Sequence, residues 1–200
     1  MIAICGDSFA VPDPEYGTMW ADLLAAQINQ PVLNLARVCA SNLMIAQQVD
    51  QAQHADFVIV LFTASTRSQT QHDSKIIPWS WHSLDQTTPF DQRQLNILRN
   101  YAAEFFDLDL AIYESQCIIE SVLQRLVDRG QKFCFDQGGF EHPAYGGQRK
   151  YFEKYNRYRS AVCAWDWAQT RAHRPYYHIT DPVVHQRMAD YYIGLINEHS

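Results

Sequence analysis

Short unbroken apolar runs alternate along this chain with segments whose apolar residues recur every three or four positions. Ile2 to Cys5, Val32 to Leu35, Phe57 to Phe62 and Lys132 to Phe135 read as strands, and Phe57 to Phe62, apolar throughout and β-branched in the middle, is the clearest buried one. Helical spacing appears from Met19 to Gln30, with Trp20, Leu23, Leu24 and Ile28 inward. It recurs from Asn42 to Gln53, with Leu43, Ile45, Ala46 and Val49 inward. Pro31 closes the first of these helices, and Gly130 stands where a stop is expected after a long helical stretch from Phe90 to Arg129, read as two helices. A final helix runs from Pro182 to Glu198, and Tyr151 to Ala172 holds at least one aromatic-rich helix. Gly138-Gly139 and Pro143 to Gly147 read as an irregular loop.

Strand and helix in regular alternation predict an α/β fold, with a parallel sheet covered by helices on both faces. From Thr63 to Thr88 the alternation lapses into a polar stretch rich in Gln, Ser and Thr, expected as a lid or insertion loop at 63–88. With no internal repeat, low-complexity segment or linker, residues 1–200 read as a single domain.

Composition narrows the function classes. The net charge of -6 argues against a nucleic-acid partner, which calls for a basic surface. No apolar run approaches the length of a membrane span. Met1 to Cys5 has neither the basic segment nor the long apolar stretch of a secretory signal, so a cytoplasmic location is expected. The five cysteines (Cys5, Cys39, Cys117, Cys134, Cys163) are scattered and odd in number, which suits reduced thiols better than a disulfide framework. Cys117, Cys134 and Cys163 read as small core residues. His173, His178 and His185 match no compact ligand spacing, so no metal is expected, and the absence of a Gly-rich phosphate loop or dinucleotide fingerprint leaves no cofactor implied. Asp107 and Asp109 read as carboxylates favouring a helix N-terminus. Trp79/Trp81 and Trp165/Trp167 form close pairs suited to packing core edges, and the first pair also suits a cleft wall.

The candidate chemistry begins at Gly6-Asp7-Ser8, directly after the first apolar run. A serine at that point lies at the carboxyl end of a buried strand, where open α/β sheets bind ligands. Asp7 and Ser8 also suit a turn or helix cap. Polar residues follow the other strands too. Asn34 to Asn42 follows the second, Thr63-Ala64-Ser65-Thr66-Arg67 the third, and His178-Ile179-Thr180-Asp181 precedes the last helix.

With these four segments in this order, the chain resembles the SGNH (GDSL-type) hydrolase family over essentially its full length. Gly6-Asp7-Ser8 matches the first block, Asn34 to Asn42 the second, Thr63 to Thr66 the third, and His178 the histidine before the C-terminal helix. The resemblance implies a three-layer α/β/α sandwich with a mostly parallel, flavodoxin-like sheet. It further implies a serine esterase in which Ser8 is the nucleophile and His178 the base. The oxyanion would be held by the Ser8 and Cys39 N–H groups and the Ser65 side chain. Three departures accompany it: Cys39 stands at the family's glycine, Ser65 at its asparagine, and Pro175 at the aspartate three residues before the histidine. Asp181, three residues after His178, is the candidate to orient the imidazole. An alternative alignment makes Asp181 and His185 the acid–base pair. The substrate would be a small-molecule, glycan or lipid ester. The contrasting expectation is a weak or inactive SGNH-fold binding module, part of a viral or other large assembly.

Overall fold

The computed structural model describes residues 1–11, 18–72, 75–80, 90–136, 148–160, 179 and 181–199. Four strands, β1 (Ile2–Cys5), β2 (Val32–Asn34), β3 (Phe57–Leu61) and β6 (Lys132–Asp136), form one parallel sheet in the order β2-β1-β3-β6. Register is set by Ile2 opposite both Val32 and Phe57, and by Phe57 opposite Lys132. The helices are α1 (Trp20–Gln27), α2 (Asn42–Gln51), α3 (Gln92–Phe105), α4 (Leu108–Asp128) and α5 (Pro182–Glu198), and Gln148–Tyr158 forms a 3-10 helix.

Because side chains alternate along a strand, each apolar run feeds two cores at once. Ala3, Cys5, Val58, Val60, Phe133 and Phe135 face the α2/α4 layer. Ile2, Ile4, Phe57, Ile59, Leu61 and Cys134 face the α1/α5 layer. The central sheet, covered by helices on both faces, is the α/β fold the alternation predicts. Each large side chain wholly removed from water here contributes about 1.5–3 kcal/mol before conformational entropy is set against it. In α4, Ile119, Val122, Leu123 and Leu126 are buried at helical spacing. In the opposite layer the rings of Trp20 and Tyr192 lie 4.8 Å apart, joining α1 to α5.

Helix ends follow local chemistry. Asp91, Asp107 and Asp181 cap α3, α4 and α5 by accepting the N–H groups of Gln94, Leu110 and Val183. Asp107 and Asp109 thus hold the helix-terminus positions expected of them, and Gly130 follows α4 with φ +62°.

Three expectations need correction. The polar stretch after β3 contains an antiparallel hairpin, β4 (Arg67–His72) with β5 (Lys75–Ser80), where a loop was expected. β4 carries no apolar residue, and in β5 Ile76-Ile77 is followed by Pro78, a residue that argues against a strand, so hydrophobic period does not reveal the pair. Leu43 is 45% exposed, and Met44 is buried beside Ile45 in the core-facing layer of α2 instead. Cys117 is exposed on α4, whereas Cys134 is buried as expected. The irregular loop at 138–147, Cys163, Trp81, Trp165 and Trp167 lie outside the described residues, as does most of the aromatic-rich segment after Tyr158. Among the described residues, no helix is long and apolar enough to cross a membrane.

Candidate active site at the strand ends

Ser8 begins a 3-10 turn, Ser8–Ala10, at the carboxyl end of β1, and is only 6% exposed. Asp7 caps this turn: its Oδ1 accepts the Phe9 N–H at 3.0 Å. The Asp7 carboxylate is wholly buried, and its Oδ2 accepts the Thr63 hydroxyl at 2.8 Å. Arg67 Nη1 lies 3.2 Å from the same oxygen. That contact is coulombic, since the N–H is not aligned on the oxygen as a hydrogen bond. The cap and nucleophile readings of Asp7-Ser8 are therefore compatible, with Asp7 as the cap and Ser8 the residue it presents.

Gly6 is required by space. A Cβ there would lie 2.9 Å from Leu61 Cβ and 3.2 Å from the Leu61 carbonyl oxygen. Close approach of β3, and not a left-handed backbone, accounts for the glycine. Its peptide is clasped by the carboxamide of Gln48 on α2. The Gly6 N–H donates to Oε1 at 2.6 Å, and Nε2 donates to the Gly6 carbonyl at 3.2 Å. Further on, the Trp20 indole N–H donates to the Phe9 carbonyl at 2.7 Å, and Asn34 Nδ2 donates to that of Ala10 at 2.7 Å. Both sides of Ser8 are thus tied to separate elements.

The segment after β2 carries Cys39 at φ +59°, the one described non-glycine residue with positive φ. It is the third residue of a turn closed by the Ala40 N–H on the Arg37 carbonyl at 3.2 Å, a position that favours glycine when φ is positive. Cys39 therefore keeps the backbone conformation that a glycine would take. The Arg37 N–H donates to the Gly6 carbonyl at 3.1 Å, which joins this segment to the serine turn.

The segment after β3 is held by Asn42. Its Oδ1 accepts the Thr63 N–H at 2.9 Å, and its Nδ2 donates to the Thr63 carbonyl at 2.9 Å and to Ser115 Oγ at 2.6 Å. Thr63 and Thr66 are buried, and Ser65 between them is half-buried. Ser65 and Arg67 border a cavity of about 510 Å³ that extends toward α3 and α4.

His178 and Pro175 lie outside the described residues. Asp181 gives Oδ1 to the Val183 N–H at 2.8 Å as the cap of α5. His185 is 1% exposed, with both ring nitrogens engaged: Nδ1 accepts the Trp20 N–H at 3.3 Å, and Nε2 lies 3.0 Å from the Ile179 carbonyl. Those partners set the Nε2–H tautomer. Burial is the largest influence on the ring and holds its pKa below the ordinary value, outweighing the Ile179 carbonyl and the Asp181 and Asp22 carboxylates. It is a satisfied core histidine, not a base facing Ser8.

Gln48, Asn42 and Ser115 escape a motif-based reading, because no family block includes Gln48 or Ser115 and Asn42 is merely the end of one. The available signal is positional: Gln48 falls between Ile45 and Val49 on the inward face of α2, where an unpaired carboxamide would be costly.

No protein-family model and no curated protein sequence matches the chain. Among solved structures it is similar to the psychrotrophic esterase EstA from Pseudoalteromonas sp., a structure inhibited by monoethylphosphonate. The TM-score is 0.56 and the identity 12%, over 98% of this chain and 96% of that one. It also aligns with the lipase Lip_vut3 from a goat rumen metagenome, with a TM-score of 0.48 and 12% identity, over 97% and 96% of the two chains. The central parallel sheet flanked by helices is thus similar in fold to that esterase structure along nearly the whole chain.

Proposed function

We propose that the protein is a serine hydrolase of the SGNH type acting on carboxylic esters. The observation that carries this reading is the convergence of Gly6-Asp7-Ser8, the Cys39 turn and Thr63 to Thr66 at the carboxyl ends of adjacent strands. Hydrogen bonds among Gly6, Arg37, Asp7 and Thr63 tie the three segments together.

In this reading His178 takes the proton from Ser8 Oγ as that oxygen bonds to the ester carbonyl carbon. The carbonyl oxygen becomes an oxyanion facing the Ser8 and Cys39 N–H groups and the Ser65 hydroxyl. On collapse the C–O bond to the alcohol breaks, and His178 returns the proton to the departing oxygen. Water, deprotonated by the same imidazole, then releases the acid and restores Ser8. Asp181 already gives one carboxylate oxygen to the α5 cap, so its other oxygen or a backbone carbonyl orients His178. The left-handed Cys39 supports the oxyanion assignment, since the peptide geometry survives without glycine. The expected substrates are small-molecule, glycan or lipid esters, and the expected location is cytoplasmic.

The test is hydrolysis of p-nitrophenyl acetate by the protein and by Ser8→Ala and His178→Ala variants that keep the native circular dichroism. Each substitution should lower kcat by roughly a thousandfold or more. Activity surviving Ser8→Ala would remove the nucleophile assignment.

A further inference from the structure

We propose that α3 is a self-association helix, pairing antiparallel with α3 of a second copy of this chain across a two-fold axis. The proposal does not depend on the ester-hydrolase reading. The helix is amphipathic, yet it gives little to the core. None of its residues is buried, and Gln94, Leu95, Leu98 and Ala102, which share one face, are only half-buried. Beside that face, Ile97, Tyr101 and Phe105 recur every four residues as an exposed stripe, with the Tyr101 and Phe105 rings 5.5 Å apart. Leu108, Leu110 and Tyr113 at the start of α4 add exposed apolar surface beyond its end, and Phe105 and Leu110 border one cavity.

The size of this surface suits a pairing of two chains. The six side chains lie between 40% (Leu108) and 71% (Phe105) exposed. With three aromatic rings among them, they present on the order of 700 Å². The largest apolar patch of a typical monomer is about 300–600 Å², whereas each partner in a stable interface buries about 800 Å². Two such stripes face to face supply most of that area, and the polar rim supplies the rest.

The flanking charges identify the occupant as a second copy. Arg93 and Glu104 are both exposed, and neither forms an ion pair among the described residues. Eleven residues separate them, three helical turns, so they share one flank of the stripe about 16 Å apart. That distance is too long for a pair within one helix. When α3 (Gln92–Phe105) lies antiparallel over its full length on its copy, Arg93 stands opposite Glu104 of the partner subunit. The two-fold axis repeats the contact at the other end of the helix pair. A parallel pairing would bring like charges level instead.

Sedimentation velocity over a concentration series should show the wild-type protein as a dimer at about 100 µM. Phe105→Glu should leave it monomeric at that concentration, with unchanged circular dichroism because the position is exposed. Arg93→Glu and Glu104→Arg should each weaken association by about tenfold, and the double variant should recover most of the loss. Both changes suit the helix dipole, so weaker association cannot come from a lost helix. Recovery can come only from contacts between copies, since the two positions do not meet within one chain. A wild-type monomer at about 100 µM overturns the proposal, and so does a dimer that survives Phe105→Glu. Loss in both single variants without recovery in the double variant overturns the antiparallel pairing. Cosedimentation of a monomer with phosphatidylcholine vesicles, abolished by Phe105→Glu, would overturn it in favour of a lipid surface.

Discussion

The wholly buried carboxylate of Asp7 and the guanidinium of Arg67 meet at 3.2 Å, joining the residue before the candidate nucleophile to the first residue of β4. Asp7 accepts the Phe9 N–H through one oxygen and the Thr63 hydroxyl through the other, so its charge holds the serine turn and the end of β3 in one arrangement. Removing the cation alone leaves that charge buried. Arg67→Met should therefore cost about 3 kcal/mol of stability, and Asp7→Asn added to it should recover part of the loss. Urea unfolding of the two single variants and the double variant measures the coupling. Strict additivity would show that the pair does not interact energetically.

The clasp of Gln48 on Gly6 should be as consequential as a core contact. Gln48→Leu keeps the volume but removes the partner of the buried Gly6 N–H, at a cost of about 1–3 kcal/mol. Gly6→Ala places a Cβ against Leu61 and should cost about 1–3 kcal/mol through overpacking. Both should also depress kcat of the proposed ester hydrolysis, because the residue they act on immediately precedes Asp7-Ser8. Denaturant midpoints and initial rates on one aryl ester test this together.

Cys39 supplies a substitution expected to stabilise. Its φ of +59° costs a side-chain-bearing residue about 1–2 kcal/mol that glycine avoids. Glycine's greater freedom in the unfolded chain offsets part of this, so Cys39→Gly should raise stability by about 0.5–1 kcal/mol. Cys39→Val should lower the melting temperature, since a β-branched side chain is worse still in that region. Thermal unfolding of the two variants distinguishes backbone strain from any contribution of the thiol.

The pH dependence should carry the signature of His185. Burial holds its native pKa below 6.5, so between that native value and 6.5 the unfolded chain binds a proton that the folded one refuses. Stability contributed by the neutral ring is complete above 6.5 and is lost as the pH falls through the window below it. Urea midpoints should decline from neutrality to about pH 5, and His185→Gln should flatten that decline. An unchanged slope would mean that another group governs it.

Much of the fold is legible in the residues themselves. Phe57 to Leu61 is apolar at every position because both its faces are buried, and Pro182 to Glu198 is bounded by an aspartate cap and a proline in its first turn. The hairpin of β4 and β5 is not legible: its strand pairing is backbone chemistry carried on largely polar residues. For the site, the place of Ser8 at the end of β1 follows from the apolar run before it, whereas the use of His185 as a core residue depends on Trp20, far away in sequence.

The period and continuity of apolar residues determined, without further help, four strands, the helices between them and the layered α/β architecture. They did so because burial on one face or both imposes a local repeat. Tertiary structure alone decided that Gln48 closes on Gly6, that Asn42 closes on Thr63, that Arg67 meets Asp7, and that α3 leaves an apolar face over the cavity. Those relationships join residues separated along the chain and brought together by strand order and helix rotation. No local repeat encodes such a pairing, because each partner is polar or exposed for reasons that exist only once the other is in place.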